Sequence, residues 1–248
     1  MNKVVTVGLG YIGLPTSALI ANFGLKVHGV DINQKVVDTI NKGKVHIVEP
    51  ELDKAVRSAV RKGNLIADTK PVEADVYLIV VPTPFKEGHK PDISYVQSAT
   101  DAIIPFLKKG DLFIIESTSP IGTTEKMRDR IFNSRPDLID EISIAYCPER
   151  VLPGNVMYEL VNNDRVIGGV NSTSTKDAIR FYKQFVKGAL HSTDARTAEM
   201  CKLVENSSRD SQIAFANELS LEIKPNNHSK IYFLKNFKPD SQKIFLKN

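Results

Sequence analysis

The feature that most constrains this chain is a glycine-rich loop near its first residue. The buried-strand run Val4–Val7 leads directly into Gly8-Leu9-Gly10-Tyr11-Ile12-Gly13, and a helical pattern begins at Leu14. In such a loop Gly8 permits a tight turn, Gly10 lets the backbone approach a phosphate, and Gly13 lets the helix pack closely on the strand. The loop therefore predicts a dinucleotide whose pyrophosphate binds at the helix N-terminus, where free N–H groups favour anions.

An acidic residue follows where a dinucleotide site needs one. The second strand pattern ends in Val30-Asp31, 18 residues after Gly13, and a carboxylate there can accept hydrogen bonds from the adenosine ribose. The same charge repels a 2′-phosphate, so the sequence favours NAD over NADP. Lys35 lies nearby as a second cofactor-binding candidate, and its cation could tolerate NADP. The alternative interpretation is a plain βα turn with a solvated aspartate.

Short β-branched runs alternate with helical patterns along the chain, which predicts an α/β fold with a Rossmann-type, doubly wound parallel sheet. The predicted strands are 4–7, 26–30, 64–67, 76–81, 112–115, 142–146 and 165–168. The predicted helices are 14–23, 35–41, 51–62, 94–107, 124–133 and 174–185. A longer helix without Gly or Pro is predicted from about 195 to 219.

These patterns divide the chain into a Rossmann-type domain (1–193), a partial central helix (194–221) and a tail (222–248). Residues 223–248 carry six lysines and one acid, whereas the other 222 residues have a net charge of −1. The basic balance belongs to the tail, so it does not indicate a nucleic-acid partner. No run of membrane length and no signal-peptide pattern is present, and two cysteines cannot build a metal cluster. We expect a cytoplasmic protein without membrane contact.

Three polar loops follow predicted strands, at the sheet edge where ligands bind in doubly wound folds. Thr83 follows the fourth strand and can donate a hydroxyl to a cofactor. Thr118 follows the fifth and can face the nicotinamide or a reacting water. Glu149 and Arg150 follow the sixth. The alternatives are turn-capping threonines and a solvated Glu149–Arg150 surface pair.

The long helix offers a further polar group. Lys202, Asn206 and Arg209 are spaced i, i+4, i+7 and therefore share one face. Two cations and an amide suit a phosphate or a sugar hydroxyl, and a desolvated lysine can act as a base or an oxyanion donor. The alternative is a solvated face whose charge is balanced by the neighbouring acids Glu199, Glu205 and Asp210.

Taken together, five stretches resemble the UDP-glucose/GDP-mannose dehydrogenase family, in the family's order and from residue 1 to about residue 221. They are GLGYIGLP, VPTP, ESTSPIGTT, YCPERVLPGN and TAEMCKLVENSSRDSQIAFANE. The fourth stretch is more similar to the UDP-N-acetyl-D-mannosamine branch than to the UDP-glucose branch. The resemblance implies oxidation of the C6 alcohol of a UDP-sugar to a carboxylate with two NAD molecules. It also implies a homodimer formed through the central helix.

The resemblance assigns roles to individual residues. Residues implied to contact NAD are Tyr11, Ile12, Asp31, Thr83 and Thr118. Those implied to contact the substrate are Arg150, Val151, Lys202, Asn206 and Arg209. Lys202 would be the proton donor or acceptor and stabilise the oxyanion, and Glu149 would help to activate the hydrolytic water. Thr118 and Asn206 complete the implied catalytic group.

One departure from the family pattern limits the implied chemistry. The family traps the aldehyde on a cysteine thiolate, in a later glycine-rich motif that this sequence does not match. Cys147 and Cys201 do not occupy its place, and both are predicted to be small buried side chains. The family's C-terminal UDP-binding domain is missing too.

We therefore expect a truncated or frame-shifted member whose tail is out-of-frame translation, and which binds NAD with little or no turnover. Two alternatives stay open. One is a non-catalytic NAD-binding remnant with the same fold. The other is a dehydrogenase of the 3-hydroxyacid or 6-phosphogluconate type, which also places a Rossmann domain before a long helix.

Overall fold

A computed structural model describes the backbone of residues 1–222 and the side chains as far as residue 218. The predicted tail falls on residues 223–248, outside the described part. Eight strands are present in this part: β1 (Lys3–Val7), β2 (Lys26–Val30), β3 (Leu65–Asp68), β4 (Val76–Ile79), β5 (Leu112–Ile115), β6 (Ser143–Tyr146), β7 (Arg165–Gly169) and β8 (Leu190–Asp194). Seven of them lie where the sequence predicts strands.

The described residues also form eight α-helices. They are α1 (Gly13–Asn22), α2 (Gln34–Asn41), α3 (Leu52–Arg61), α4 (Ser94–Ile103), α5 (Thr123–Ser134), α6 (Val156–Asn162), α7 (Ser172–Tyr182) and α8 (Ala195–Glu222). The prediction did not include β8 and α6. β8 carries the polar sequence LHSTD with no fully buried residue, and α6 is only seven residues long, so neither has a clear hydrophobic period.

All strands belong to one sheet with the order β3-β2-β1-β4-β5-β6-β7-β8. The first six follow the 3-2-1-4-5-6 order of dinucleotide-binding folds, in which strands are added on one side of β1 and then, from β4 onward, on its other side. The β1 residues Val4–Val7 pair in parallel with both β2 and β4. The carboxyl ends of β1, β2, β4, β5 and β6 consequently meet at one edge of the sheet.

The predicted doubly wound parallel sheet is confirmed for β1 to β6, and the two strands after β6 make the whole sheet mixed. β7 pairs antiparallel with β6, through Ala145 opposite Gly169 and Tyr146 opposite Gly168, and β8 runs parallel to β7. An antiparallel neighbour needs no crossover to the far edge of the sheet. The segment between β6 and β7, which contains α6, can therefore stay at the carboxyl edge beside the candidate site.

Helices cover both faces of the sheet and bury two apolar clusters. One cluster joins the sheet to α1, α2, α3, α6 and α7 through residues such as Leu14, Leu52 and Phe181. The other joins it to α4 and α5 through residues such as Val96 and Met127. The strands are near-continuous apolar runs because both faces are covered.

Packing divides the chain into two compact units, residues 1–200 and residues from 201 onward, with the boundary inside α8. In the first unit, the fully buried Glu199 carboxylate accepts hydrogen bonds from the backbone N–H of Gly122 (2.5 Å) and Thr124 (2.8 Å) at the start of α5. A carboxylate suits a helix N-terminus, so Glu199 does not balance a solvated face. Within residues 1–222, no helix is apolar enough over sufficient length to span a bilayer.

Candidate functional site

A cleft of about 380 Å³ opens at the carboxyl edge of the sheet, between the glycine loop and the strand-end loops. Its lining residues are Gly8, Gly10, Tyr11, Ile12, Asp31, Val80, Val81, Pro82, Thr83, Glu116, Ser117, Thr118 and Glu149. The structure therefore brings together most of the residues that the sequence predicts to contact a dinucleotide. Gly13 and Lys35 do not line the cleft.

The three glycines of the loop have different surroundings. Gly8 has a φ of +97°, and a Cβ there would lie 2.3 Å from the Val80 carbonyl oxygen. A Cβ on Gly13 would lie 1.8 Å from the Gly8 carbonyl oxygen, so both positions exclude any side chain. A Cβ on Gly10 would meet no atom within 4 Å, because it would project into open space. This open cradle fits a pyrophosphate lying against the backbone.

Asp31 is held beside the glycine loop by two backbone donors. Its Oδ2 accepts a hydrogen bond from the Leu9 N–H at 3.1 Å, and its Oδ1 accepts one from the Asn33 N–H at 2.9 Å. The half-buried carboxylate is therefore held in a fixed position at the cleft. The Lys35 backbone N–H donates to the Asn33 side chain, which caps α2, and the Lys35 side chain is exposed.

The loops after β4 and β5 are tied together by a serine that the sequence analysis did not single out. The Ser117 hydroxyl donates to the Ile79 carbonyl (3.2 Å) and accepts from the Val81 N–H (2.9 Å). Among the described residues, no hydrogen bond engages the hydroxyl of Thr83 or Thr118. Both threonines are half-buried cleft residues, so neither caps a turn and each can donate to a ligand.

The two predicted site residues of the loop after β6, Glu149 and Arg150, have different surroundings. Glu149 lines the cleft, and its Oε2 accepts from the Val151 N–H at 2.9 Å. Arg150 does not line the cleft; its Nη1 donates to the Asp164 carbonyl at 3.3 Å. Val151 is buried in the apolar core. The prediction that this loop contributes an acid to the cleft agrees with the geometry of Glu149.

A second carboxylate, Glu49, connects the glycine loop with the segment after Val151. The Tyr11 hydroxyl donates to Glu49 Oε2. The Gly154 N–H donates to the same oxygen at 3.1 Å, and the Val156 N–H donates to Oε1 at 2.8 Å. Burial raises the pKa of Glu49, but these three donors lower it more, so the pKa lies below its usual range.

One residue of the cleft lining, Glu116, belongs to a buried charged cluster. Glu116 follows β5 directly, and its Oε1 accepts a hydrogen bond from the Tyr182 hydroxyl at 2.5 Å. The Arg165 guanidinium lies 3.9 Å from the same oxygen and 4.9 Å from the centre of the Tyr182 ring. Burial raises the pKa of Glu116, and the guanidinium and the tyrosine hydroxyl offset part of that rise.

Cys147 belongs to the same buried cluster, as predicted for a structural cysteine. Its Sγ lies 4.0 Å from Arg165 Nη1. Burial raises the pKa of the Cys147 thiol to about 11, so the thiol form predominates at neutral pH.

Cys201 is exposed, and the prediction that it is buried is wrong. The buried positions of this part of α8 are Ala195, Ala198, Glu199 and Lys202. They follow the helical i, i+3, i+4, i+7 period, and Cys201 lies off that stripe.

The three predicted substrate residues of α8 differ in burial. Lys202 is only 5% exposed, whereas Asn206 and Arg209 are half-buried. Within the second unit, Arg209 Nη2 lies 3.9 Å from a Glu205 oxygen. The burial of Lys202 disagrees with a fully solvated helix face. Within residues 1–222, no group of His, Cys, Asp and Glu side chains is arranged to hold a metal ion.

Sequence reasoning did not identify Glu49, Glu116 or Arg165 as site residues. The sequence contains one usable signal for Glu116, an acid directly after the buried run Leu112–Ile115 at the ligand-binding edge. Arg165 begins a strand, which is an unusual place for an unpaired charge. Glu49 lies in a connecting segment without a hydrophobic period, and its partners are 38 to 107 residues away.

Comparison with known proteins agrees with this geometry. The family model described as "UDP-glucose/GDP-mannose dehydrogenase family, NAD binding domain" matches residues 2–186. The UDP-N-acetyl-D-mannosamine dehydrogenase of Escherichia coli K12 is 57% identical over 226 residues, which are 88% of this chain and 54% of that protein. An NDP-N-acetyl-D-galactosaminuronic acid dehydrogenase of Ralstonia nicotianae is 55% identical over 226 residues, 88% of this chain and 53% of that protein.

A solved structure shows the same fold. The UDP-D-ManNAc dehydrogenase of Pyrococcus horikoshii superposes with a TM-score of 0.86 at 40% identity, covering 96% of this chain and 58% of that one. The chain spans about half the length of the curated relatives it matches. The matched domain confirms the predicted fold, family and cofactor, NAD. The chain belongs to the UDP-glucose/GDP-mannose dehydrogenase family, whose NAD-binding domain it contains.

Proposed function

We propose that this chain is the cofactor-binding half of an NAD-dependent UDP-sugar 6-dehydrogenase whose substrate is UDP-N-acetyl-D-mannosamine. The observation that carries the proposal is the cleft, where the open cradle at Gly10, the fixed carboxylate of Asp31 and the side chains of Thr118 and Glu149 share one cavity. The sugar is proposed from the relatives' names and from the YCPERVLPGN stretch.

The proposed cofactor contacts follow from the lining of the cleft. The backbone at Gly10–Ile12 would bind the pyrophosphate, Asp31 the adenosine ribose, and Thr83 and Thr118 the nicotinamide half. NAD, when bound, supplies the hydride acceptor. We also propose that Lys35, an exposed cation outside the cleft lining, lies near the adenosine ribose of the bound cofactor.

The proposed substrate residues are Arg150, Val151, Lys202, Asn206 and Arg209. Lys202 would move the proton of the C6 alcohol and stabilise the oxyanion, with Asn206 assisting. The burial of its side chain, which is only 5% exposed, supports a role other than that of a solvated surface lysine. Glu149 would help to activate water for hydrolysis.

We expect the purified 248-residue chain to bind NAD without sustained oxidation of the sugar. Neither Cys147 nor Cys201 lines the cleft, and the buried Cys147 thiol is a poor nucleophile. This favours a second candidate function, an NAD-binding protein without catalysis. Calorimetric titration with NAD and NADP tests cofactor binding. Absorbance of reduced cofactor during incubation with UDP-N-acetyl-D-mannosamine separates the two functions, because sustained turnover would exclude the non-catalytic one.

We further propose that the protein is cytoplasmic, since two cysteines in 248 residues are too few for a disulfide framework, and that it self-associates through α8. Exposed apolar side chains on this helix include Ile213 and Phe215, which favours association. Light scattering tests the assembly, and a monomer at high protein concentration would contradict it.

A further inference from the structure

Glu49 joins two segments that lie far apart in sequence. On one side is Tyr11, a cleft residue of the glycine loop. On the other are Gly154 and Val156, which precede and begin α6. The side chain is buried and uses both carboxylate oxygens.

The chemistry of this junction requires a carboxylate. Gly154 and Val156 each present a backbone N–H, which can only donate, and they point at different oxygens of Glu49. An ionised carboxylate accepts at both positions. A glutamine has one acceptor oxygen and one NH₂ group, so either orientation turns a donor toward one of the two N–H groups. The bonds to ionised groups are also the stronger ones.

The segment held by Glu49 is continuous with the proposed substrate loop. Arg150 and Val151 come directly before it, and Val156 is fully buried at the first turn of α6. Gly154 has a φ of +93° and is exposed, so the hydrogen bonds of Gly154 and Val156 to Glu49 help to fix the backbone between these two points. Tyr11 touches the same carboxylate from the cofactor side.

We infer that Glu49 is a positioning residue that couples occupancy of the NAD cleft at Tyr11 to the position of the Gly154–Val156 segment. A ligand that restricts the motion of Tyr11 also restricts the Glu49 carboxylate, which accepts a hydrogen bond from the Tyr11 hydroxyl. The motion of the two backbone N–H groups bound to that carboxylate is restricted in turn. This inference rests on the proposed function for the identity of the ligand and of the substrate loop. It assigns to the chain a physical connection through which cofactor binding prepares the loop for the sugar nucleotide.

Hydrogen exchange of the full chain tests the coupling, read on the peptide that contains the amides of Gly154 and Val156, with and without saturating NAD. We expect NAD to slow exchange of this peptide several-fold in the native protein. Tyr11→Phe removes the hydroxyl but leaves both backbone bonds of Glu49. At an NAD concentration that saturates this variant in its own calorimetric titration, we expect the NAD-dependent slowing to be lost.

Two matched variants serve as controls. Tyr158→Phe makes the same chemical change at an exposed tyrosine of α6 outside the junction, and Glu51→Gln neutralises an exposed acid two residues from Glu49. Both should retain the native response. Glu49→Gln should raise exchange of the peptide even without NAD, because one N–H loses its acceptor.

Calorimetric titration of NAD into the native protein and each variant distinguishes a failure of the coupling from a failure of the proposed function. If NAD binds and the native peptide does not respond, or if Tyr11→Phe responds like the native protein, the coupling is wrong while the proposed function stands. If NAD does not bind the native chain, the proposed function fails and the coupling fails with it.

Discussion

The two walls of the cleft are built in different ways. The glycine-loop wall consists of contiguous backbone from Gly8 to Gly13, with Asp31 fixed by nearby N–H groups. The other wall, called here the charged wall, is formed at Glu116, whose carboxylate belongs to a buried cluster with Cys147, Arg165 and Tyr182; these three residues do not line the cleft. The first wall acts through local backbone conformation, whereas the second acts through long-range charge pairing. Substitutions should therefore affect the first wall mainly in binding and the second mainly in stability.

The largest expected effect is on the charged wall. Arg165→Met removes the only guanidinium that faces Glu116 among the described residues and leaves a buried carboxylate uncompensated. We expect the free energy of unfolding to fall by about 3–5 kcal/mol, the usual cost of breaking a buried pair. Urea denaturation followed by circular dichroism measures it.

Two further variants sharpen this test. Arg196→Met removes the surface partner of Glu125, and we expect a change of less than about 1 kcal/mol. The double variant Arg165→Met with Glu116→Gln should recover part of the loss, because the remaining side chain carries no charge. If Arg165→Met alone were as stable as the native protein, the stability of this wall would not depend on charge pairing.

The next-largest effect distinguishes two positions within the glycine loop, Gly13 and Gly10. Gly13→Ala would place a Cβ 1.8 Å from the Gly8 carbonyl oxygen, and we expect a loss of about 1–3 kcal/mol or more from overpacking. Gly10→Ala would project into the open cleft, so it should leave the unfolding temperature nearly unchanged and weaken NAD binding. Thermal unfolding and NAD titration of both variants decide the matter. Equal loss of stability would break the distinction between the packing and the ligand-facing glycines.

The sequence predicted the backbone wall well because its determinants are local. These determinants are the spacing of three glycines, the buried run before them and Asp31, 18 residues after Gly13. All of them depend on residues that are close in sequence. The same locality explains seven of the strands, whose buried apolar runs identify them. Strand direction after β6 is different, since the antiparallel β7 depends on how residues 147–164 pack.

The charged wall could not be predicted as a unit, for a physical reason. Glu116 and Tyr182 are 66 residues apart, and no period or spacing relates them to Arg165. Burial of Lys202 and exposure of Cys201 likewise depend on which face of α8 is covered. Of these side chains, the sequence singled out only Lys202 and the two cysteines, and the burial of each became visible only with the fold.

A smaller effect is expected from Asp31→Asn. The amide keeps an acceptor for one backbone N–H but no longer repels a 2′-phosphate and binds ribose hydroxyls less strongly. Hydrogen bonds to charged groups contribute about 1.5–3 kcal/mol, so we expect the preference for NAD over NADP to fall at least about tenfold. Titration with both cofactors measures the ratio, with the exposed Asp38→Asn on α2 as the control. An unchanged ratio would remove Asp31 from cofactor selection.

The smallest effect concerns acid stability and the buried carboxylate Glu49, which contacts Tyr11 of the glycine-loop wall. Its pKa is depressed by the Tyr11 hydroxyl and two N–H groups in spite of burial, so the native state binds fewer protons than the unfolded state. This contribution to stability is complete above the unfolded pKa, near 4.5, and is lost as the pH falls through the lower folded value. Glu49→Gln cannot titrate. The difference in unfolding temperature between it and the native protein should therefore be constant near neutral pH and shrink below about pH 4.5. The control Glu51→Gln should show no such convergence, because Glu51 is exposed. A difference that persists at low pH would mean that Glu49 acts through shape alone, as Gly13 does, and that its charge contributes nothing to holding Tyr11 and the Gly154–Val156 segment together.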